Sequence, residues 1–155
     1  MTLSHVDAQG RARMVDVGEK PDTKRVAVAK GRVVMTSQAL ELVRKNEISK
    51  GDVLTVAQVA GIAAAKRTSE LIPMCHPLLL TNISVGFDLQ DDGIEIRAIV
   101  EATGKTGVEM EALTAVTVSA LTIYDMCKAQ DRTMRIQDVR LVRKSGGKSG
   151  EIVLE

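Results

Sequence analysis

The segment TNISVGFDLQDDGIEIRAIVEATGKTGVEMEALTAVTVSALTIYDMCKA, residues 81–129, changes its periodicity halfway along. Its first part holds two runs, TNISVGFDL (81–89) and IEIRAIVEA (94–102), rich in β-branched residues and split by QDDG, whose Asp-Gly pair is a hairpin-turn signal. An antiparallel hairpin is expected there. Residues 108–129 then set Leu113, Val116, Ala120, Ile123 and Cys127 at the 3.6-residue period of one long helix. A hairpin feeding a long apolar helix requires a sheet with that helix laid across it.

Working upstream, Asp52 can cap a helix over VLTVAQVAGIAAAKRTSEL (53–71), apolar around most of its circumference and therefore buried or sandwiched between subunits. Pro73 and Pro77 stop it and stiffen the loop between them. Thr36 or Ser37 can cap a shorter amphipathic helix reaching about Asn46, with Leu40 and Val43 facing inward. RVAVAKGRVVM (25–35) is a half-buried strand interrupted at Gly31, where a bulge or bend is expected. Residues 1–24 carry Gly10, Gly18, Pro21 and many charges and read as an irregular arm. Downstream, MRIQDVRLVRKSGGKSGEIVLE gives a strand, a glycine-rich loop and a short last strand. The order βααββαβ, with no repeat and no linker, implies one α+β domain over residues 1–155: an antiparallel sheet with helices packed on one face.

Composition narrows the function classes. At 155 residues, with 45% hydrophobic and 26% charged, the chain is neither disordered nor membrane-spanning, and no apolar run approaches the roughly 20 residues a bilayer requires. One Phe, one Tyr and no Trp leave almost no platform for stacking bases, which argues against single-stranded nucleic acid and against an RNA-recognition sheet. Lys and Arg number 21 against 20 Asp and Glu, a net charge of +1, so any anion site is local. Two cysteines and an N-terminus without an apolar export region point to the cytoplasm.

Three features could carry chemistry. Gly104-Lys105-Thr106-Gly107 and Gly147-Lys148-Ser149-Gly150 invite a phosphate-loop reading, but Ile99 and Val142 stand where a P-loop needs its first glycine. Each remains either a solvated turn or a local phosphate cradle of backbone N–H groups and one lysine. His76, held between Pro73 and Pro77, suits either a site or a structural role. Asp125 and Lys128, three apart at the end of a helix with no charge between Glu111 and Asp125, are either a surface ion pair or an acid–base pair in which a buried lysine shifts the carboxylate's pKa. Glu109 and Glu111 at the other end can complement the helix dipole. Zinc is not expected, because Cys75 and His76 are adjacent and other soft ligands are few; Cys75 and Cys127 read as small hydrophobes.

Taken together, KGDVLTVAQVAGIAAAKRTSELIPMCHPLLL, TGKTGVEMEALTAVTVSALTIYDMCKA and VRKSGGKSG resemble the cyclic pyranopterin monophosphate synthase family of molybdenum-cofactor biosynthesis, the MoaC-type proteins. The likeness extends to the N-terminal SHVDAQGRARMVDV; Met74 stands where leucine is common. The resemblance implies a ferredoxin-like subunit and a homohexamer, a trimer of dimers with active sites at the dimer interface. It implies conversion of 3′,8-cyclo-7,8-dihydroguanosine 5′-triphosphate to cyclic pyranopterin monophosphate with release of diphosphate. Catalysis then falls on Asp125, Lys128 and Lys50. His76 with its neighbours Cys75 and Pro77, and Glu109, Met110 and Glu111, match pterin-side or pocket-lining positions. Arg25, Lys66, Arg67, Lys144 and Lys148 are the candidates for the phosphates. No cofactor is required, and magnesium is an optional companion of the triphosphate. A non-enzymatic ligand-binding module is the competing reading, distinguished by binding without product.

Overall fold

The computed structural model describes residues 5–155; residues 1–4 of the expected arm lie outside them. Strand β1 (Thr23–Val34) begins two residues before the predicted run and slips register against its later neighbour between Lys30 and Arg32, so the irregularity expected at Gly31 is a bulge. Helix α1 (Ser37–Arg44) is capped by Thr36, whose Oγ1 accepts from the Ala39 N–H at 3.3 Å. Helix α2 (Val53–Ala65) starts where expected, with Asp52 accepting from the Thr55 N–H at 3.0 Å.

The single helix expected over 53–71 is broken. It ends at Ala65 and a separate turn, α3 (Thr68–Leu71), follows. Buried Thr68 turns its hydroxyl onto the Ala65 carbonyl at 3.0 Å, giving the last turn a partner other than the next helical N–H. The hairpin forms as β2 (Leu80–Gln90) and β3 (Gly93–Gly104), with Asp91 and Asp92 as its loop. Helix α4 (Glu109–Cys127) is the long helix, and β4 (Arg135–Ser145) and the two-residue β5 (Ile152–Val153) complete the chain.

The sheet order is β2-β3-β1-β4-β5, with every neighbouring pair antiparallel. Leaving aside α1, α3 and the short β5, a βαββαβ chain with order 4-1-3-2 across the sheet is the ferredoxin-like arrangement. Alternation decides the layers. Ala27, Ala29 and Val33 of β1 and Ile94, Ile96, Ala98, Val100 and Ala102 of β3 share one face and are buried under the helices. The opposite face carries Lys24, Lys30, Glu95 and Glu101, tied by Lys24–Glu101 at 3.2 Å and Lys30–Glu95 at 4.0 Å, and faces water.

Helices α2 and α4 lie close because their contact is lined with small residues. A Cβ on Gly61 would collide with Ser119 Oγ and stand 3.0 Å from the Ala115 carbonyl. One turn earlier the Ser119 hydroxyl donates to the Ala57 carbonyl at 2.9 Å. The glycine costs helix propensity, about 1 kcal/mol against alanine, and the buried contact offsets it. The outer side of α2 is bare: Val59 is 61% exposed. One chain therefore covers only one side of this apolar helix.

Candidate active site

The first turn of α4 is the meeting point of four segments. They are the Gly104–Gly107 turn entering the helix, the Met74–Leu78 loop, the arm before β1, and the Gly146–Gly150 loop after β4. Two cavities form there. The first, about 470 Å³, is lined by Val15, Val17 and Lys20 of the arm, by Met74, Cys75 and His76, and by Glu109, Met110 and Glu111. His76 Nε2 lies 2.7 Å from the Val15 carbonyl. That oxygen only accepts, so Nε2 carries the proton and, in the neutral ring, Nδ1 is the acceptor. Glu111 is buried, and its carboxyl is pushed above the ordinary range by desolvation and by the negative charge of Glu109. Burial, and then Glu111, push the Cys75 thiol up as well, so it is not an activated nucleophile.

The second cavity, about 490 Å³, has the opposite character. Lys20, Arg25, Lys105, Lys144 and Lys148 line it against the single acid Glu109. It shares Lys20, Thr106, Gly107 and Glu109 with the first, so the two adjoin. Lys144 is bonded to Glu109 at 2.5 Å. The Arg25 guanidinium donates to the carbonyls of Gly104 at 3.3 Å and Lys105 at 3.2 Å, which fixes it on the cavity floor. Gly146 and Gly147 have φ of +103° and +72°, a left-handed path that folds the Lys148 loop back over Arg25. An imidazole-and-carboxyl cavity beside a strongly basic one suits a ligand with a polar ring at one end and phosphates at the other.

Asp125, Lys128 and Lys50 form a separate cluster. Asp125 accepts from Lys128 at 2.9 Å and from Lys50 at 2.9 Å, and those two hydrogen bonds, followed by the lysines' charge, hold its carboxyl below the ordinary range. Of the two readings of this pair, the acid–base one called for a buried lysine. The structure instead leaves Lys50, Asp125 and Lys128 about half exposed, because they sit in the last turn of α4 and the loop before α2, where the packed layers end. Glu109 and Asp125 lie 16 residues apart on one helix, about 24 Å at 1.5 Å per residue. Within one chain the cluster does not reach the cavities.

Other expected residues are dispersed too. Lys66 and Arg67 follow the last turn of α2 and line a shallow depression with Val59, Ile62 and Ala63, away from the basic cavity. Pro77 shapes the loop but lines neither cavity. Conversely, the sequence did not single out Lys20 or Val15 as site residues. Lys105 had a signal in the GKTG motif, whereas Lys20 and Val15 stand in an arm without periodicity. Part of that arm, from Val15 to Lys20, packs as a wall of both cavities.

Residues 14–147 match the MoaC family. Curated relatives are similar over nearly their full lengths. The chain is 62% identical to a cyclic pyranopterin monophosphate synthase of Desulfitobacterium hafniense, covering 100% of this chain and 96% of the relative. It is 58% identical to a protein of that name from Natranaerobius thermophilus, covering 97% and 96%. A third, from Chloroflexus aggregans, is 61% identical over 96% of this chain and 92% of its own.

Proposed function

The chain belongs to the MoaC family, and from that membership we propose that it is a cyclic pyranopterin monophosphate synthase, a lyase of molybdenum-cofactor biosynthesis. Its substrate is 3′,8-cyclo-7,8-dihydroguanosine 5′-triphosphate and its products are cyclic pyranopterin monophosphate and diphosphate. The observation that carries the assignment is the pair of adjoining cavities, one presenting His76 and Glu111, the other Arg25, Lys144 and Lys148.

In this reading Arg25, Lys144 and Lys148 hold the triphosphate. A substrate hydroxyl oxygen attacks the α-phosphorus, a new P–O bond forms, and the P–O bond to diphosphate breaks; the cations stabilise the charge that gathers on the departing group. The purine-derived ring lies in the first cavity against His76, Glu109, Met110 and Glu111. Its rebuilding needs protons moved at nitrogen and oxygen, the work of Asp125, Lys128 and Lys50. Since that cluster lies at the far end of α4, a second copy supplies it. The bare outer side of α2 gives the copies an apolar surface to bury, and a homohexamer of three dimers in the cytoplasm is the corresponding assembly. No cofactor enters the scheme. The carboxylate beside the phosphate cations, Glu109, is taken by Lys144, so this chain offers magnesium no ready cage and any magnesium arrives on the triphosphate.

The test is turnover of the purified protein with that cyclic triphosphate, following pterin product and diphosphate together. Equal release of both is expected. Tight binding with neither product would make the protein a binding module instead.

A further inference from the structure

The arm before β1 forms a wall of both cavities, yet its described residues, 5–22, form no helix or strand and only one isolated bridge, Val6 to Ala12. Residues 15–22 contain only the Lys20 N–H to Val17 carbonyl bond at 3.0 Å and the Gly18 N–H to Asp16 carboxylate bond at 2.8 Å. Among the described residues, two hydrogen bonds join residues 5–22 to the rest of the chain. One is His76 Nε2 to the Val15 carbonyl at 2.7 Å, the other Lys105 Nζ to the Lys20 carbonyl at 2.8 Å. Lys105 also faces the Asp22 carboxylate at 3.7 Å. Both donors belong to the cavity walls themselves.

We propose that Lys105 is a positioning residue that latches the arm, rather than a ligand for the phosphates. Its ammonium is committed to a backbone carbonyl and a carboxylate on the arm. Fixing the carbonyl of Lys20 sets the Lys20 side chain at the junction of the two cavities, where the ring and phosphates of one ligand would join. His76 holds the other end of the same segment. The lysine of the GKTG turn therefore acts on substrate through the arm. The conclusion deepens the functional reading above, on which its substrate arm rests.

Glu19 lies between the two tie points and gives an independent probe of the latch. In the full-length protein without ligand, Lys105→Met should speed cleavage after Glu19 by a glutamyl endopeptidase about fivefold or more, because local opening exposes the segment. Binding of inorganic triphosphate should be unchanged. With the cyclic nucleotide substrate, KM should rise about tenfold while kcat changes little, the signature of binding lost equally from the ground state and the transition state. Lys105→Arg, which keeps a cation of similar reach, should restore both the cleavage rate and KM. Unaltered cleavage in Lys105→Met overturns the latch, and weakened triphosphate binding with unaltered cleavage makes Lys105 a phosphate ligand. If the wild-type protein turns over no cyclic nucleotide, the functional reading fails while the cleavage and triphosphate measurements still decide the latch.

Discussion

Lys50 and Asp125, 75 residues apart in sequence, close to 2.9 Å at the end of α4, and Lys128 meets the other oxygen of the same carboxylate at 2.9 Å. Lys50 also donates to the Asp125 backbone carbonyl at 3.0 Å. The carboxylate is thus bracketed by two cations and stays ionised; in the proposed mechanism each lysine exchanges a proton with the substrate while the other keeps Asp125 in place. Partly exposed ion pairs of this kind add little to stability.

Asp125→Asn and Lys128→Met should each lower turnover about a hundredfold or more, as loss of an acid–base group does. Because the residues act as one unit, the double variant should be little worse than either single one. Thermal midpoints should stay near the wild-type value. Near-normal turnover in both single variants, with assembly intact, would move the proton-transfer role to Lys50 or His76.

The Lys148 loop can be tested by salt. If Lys148 touches the phosphates, Lys148→Ala should weaken substrate binding, and added salt should weaken the wild type more than the variant, since one screened charge pair is already gone. The fold should be unaffected, as Lys148 is exposed on a loop. Equal salt dependence in a binding titration would return the loop to a solvated turn.

How far these features can be read from sequence depends on what carries them. The hairpin and α4 are periodic side-chain patterns and were legible, as was the Asp52 cap. The α2 break was not, because it turns on one hydroxyl, that of Thr68, finding a carbonyl instead of water. The arm's role was invisible for a plainer reason: its tie points are the carbonyls of Val15 and Lys20, which every residue possesses. Asp131 shows the same limit. It looks like a surface acid, yet it is 5% exposed and accepts from the Thr36 N–H at 2.7 Å and from Thr133. The likeness between Lys50, Asp125 and Lys128 and a catalytic set came from family motifs, since no spacing rule links position 50 to position 125.

Glu111 should set a pH dependence of stability. Its carboxyl holds a proton to higher pH in the folded chain than its ordinary value of 4.5, chiefly through burial. Between the two pKa values the folded state binds more protons than the unfolded state. Stability therefore falls as pH rises through that window and stays lowered above it. Glu111→Gln removes the ionisable group and nearly preserves the shape. Calorimetry should find the variant melting above the wild type at neutral pH, with the gap narrowing toward about pH 4. A variant less stable than the wild type at neutral pH would mean that the ionised carboxylate has a structural partner.

The separation along α4 leads to the last test. One helix places Glu109 in the cavities and Asp125 about 24 Å along it, and neither cavity is lined by Lys50, Asp125 or Lys128, so a single chain does not bring both ends to one ligand. If a site takes its cavities from one copy and its Asp125 cluster from another, two crippled chains can repair each other. Asp125→Asn lacks the cluster but keeps the cavities; Lys144→Ala/Lys148→Ala has lost phosphate contacts but keeps the cluster. Each alone should be nearly inactive. Co-expressed with two different tags and purified together, they assort so that about half of the two-fold pairs are mixed, and each mixed pair contains one intact site and one doubly damaged site. Activity should return to about a quarter of the wild-type value. Sites built within single chains would return none, because every chain in the mixture carries a defect. Recovery therefore assigns the far end of α4 to the neighbour's cavities, whereas its absence in mixed assemblies would overturn the shared site.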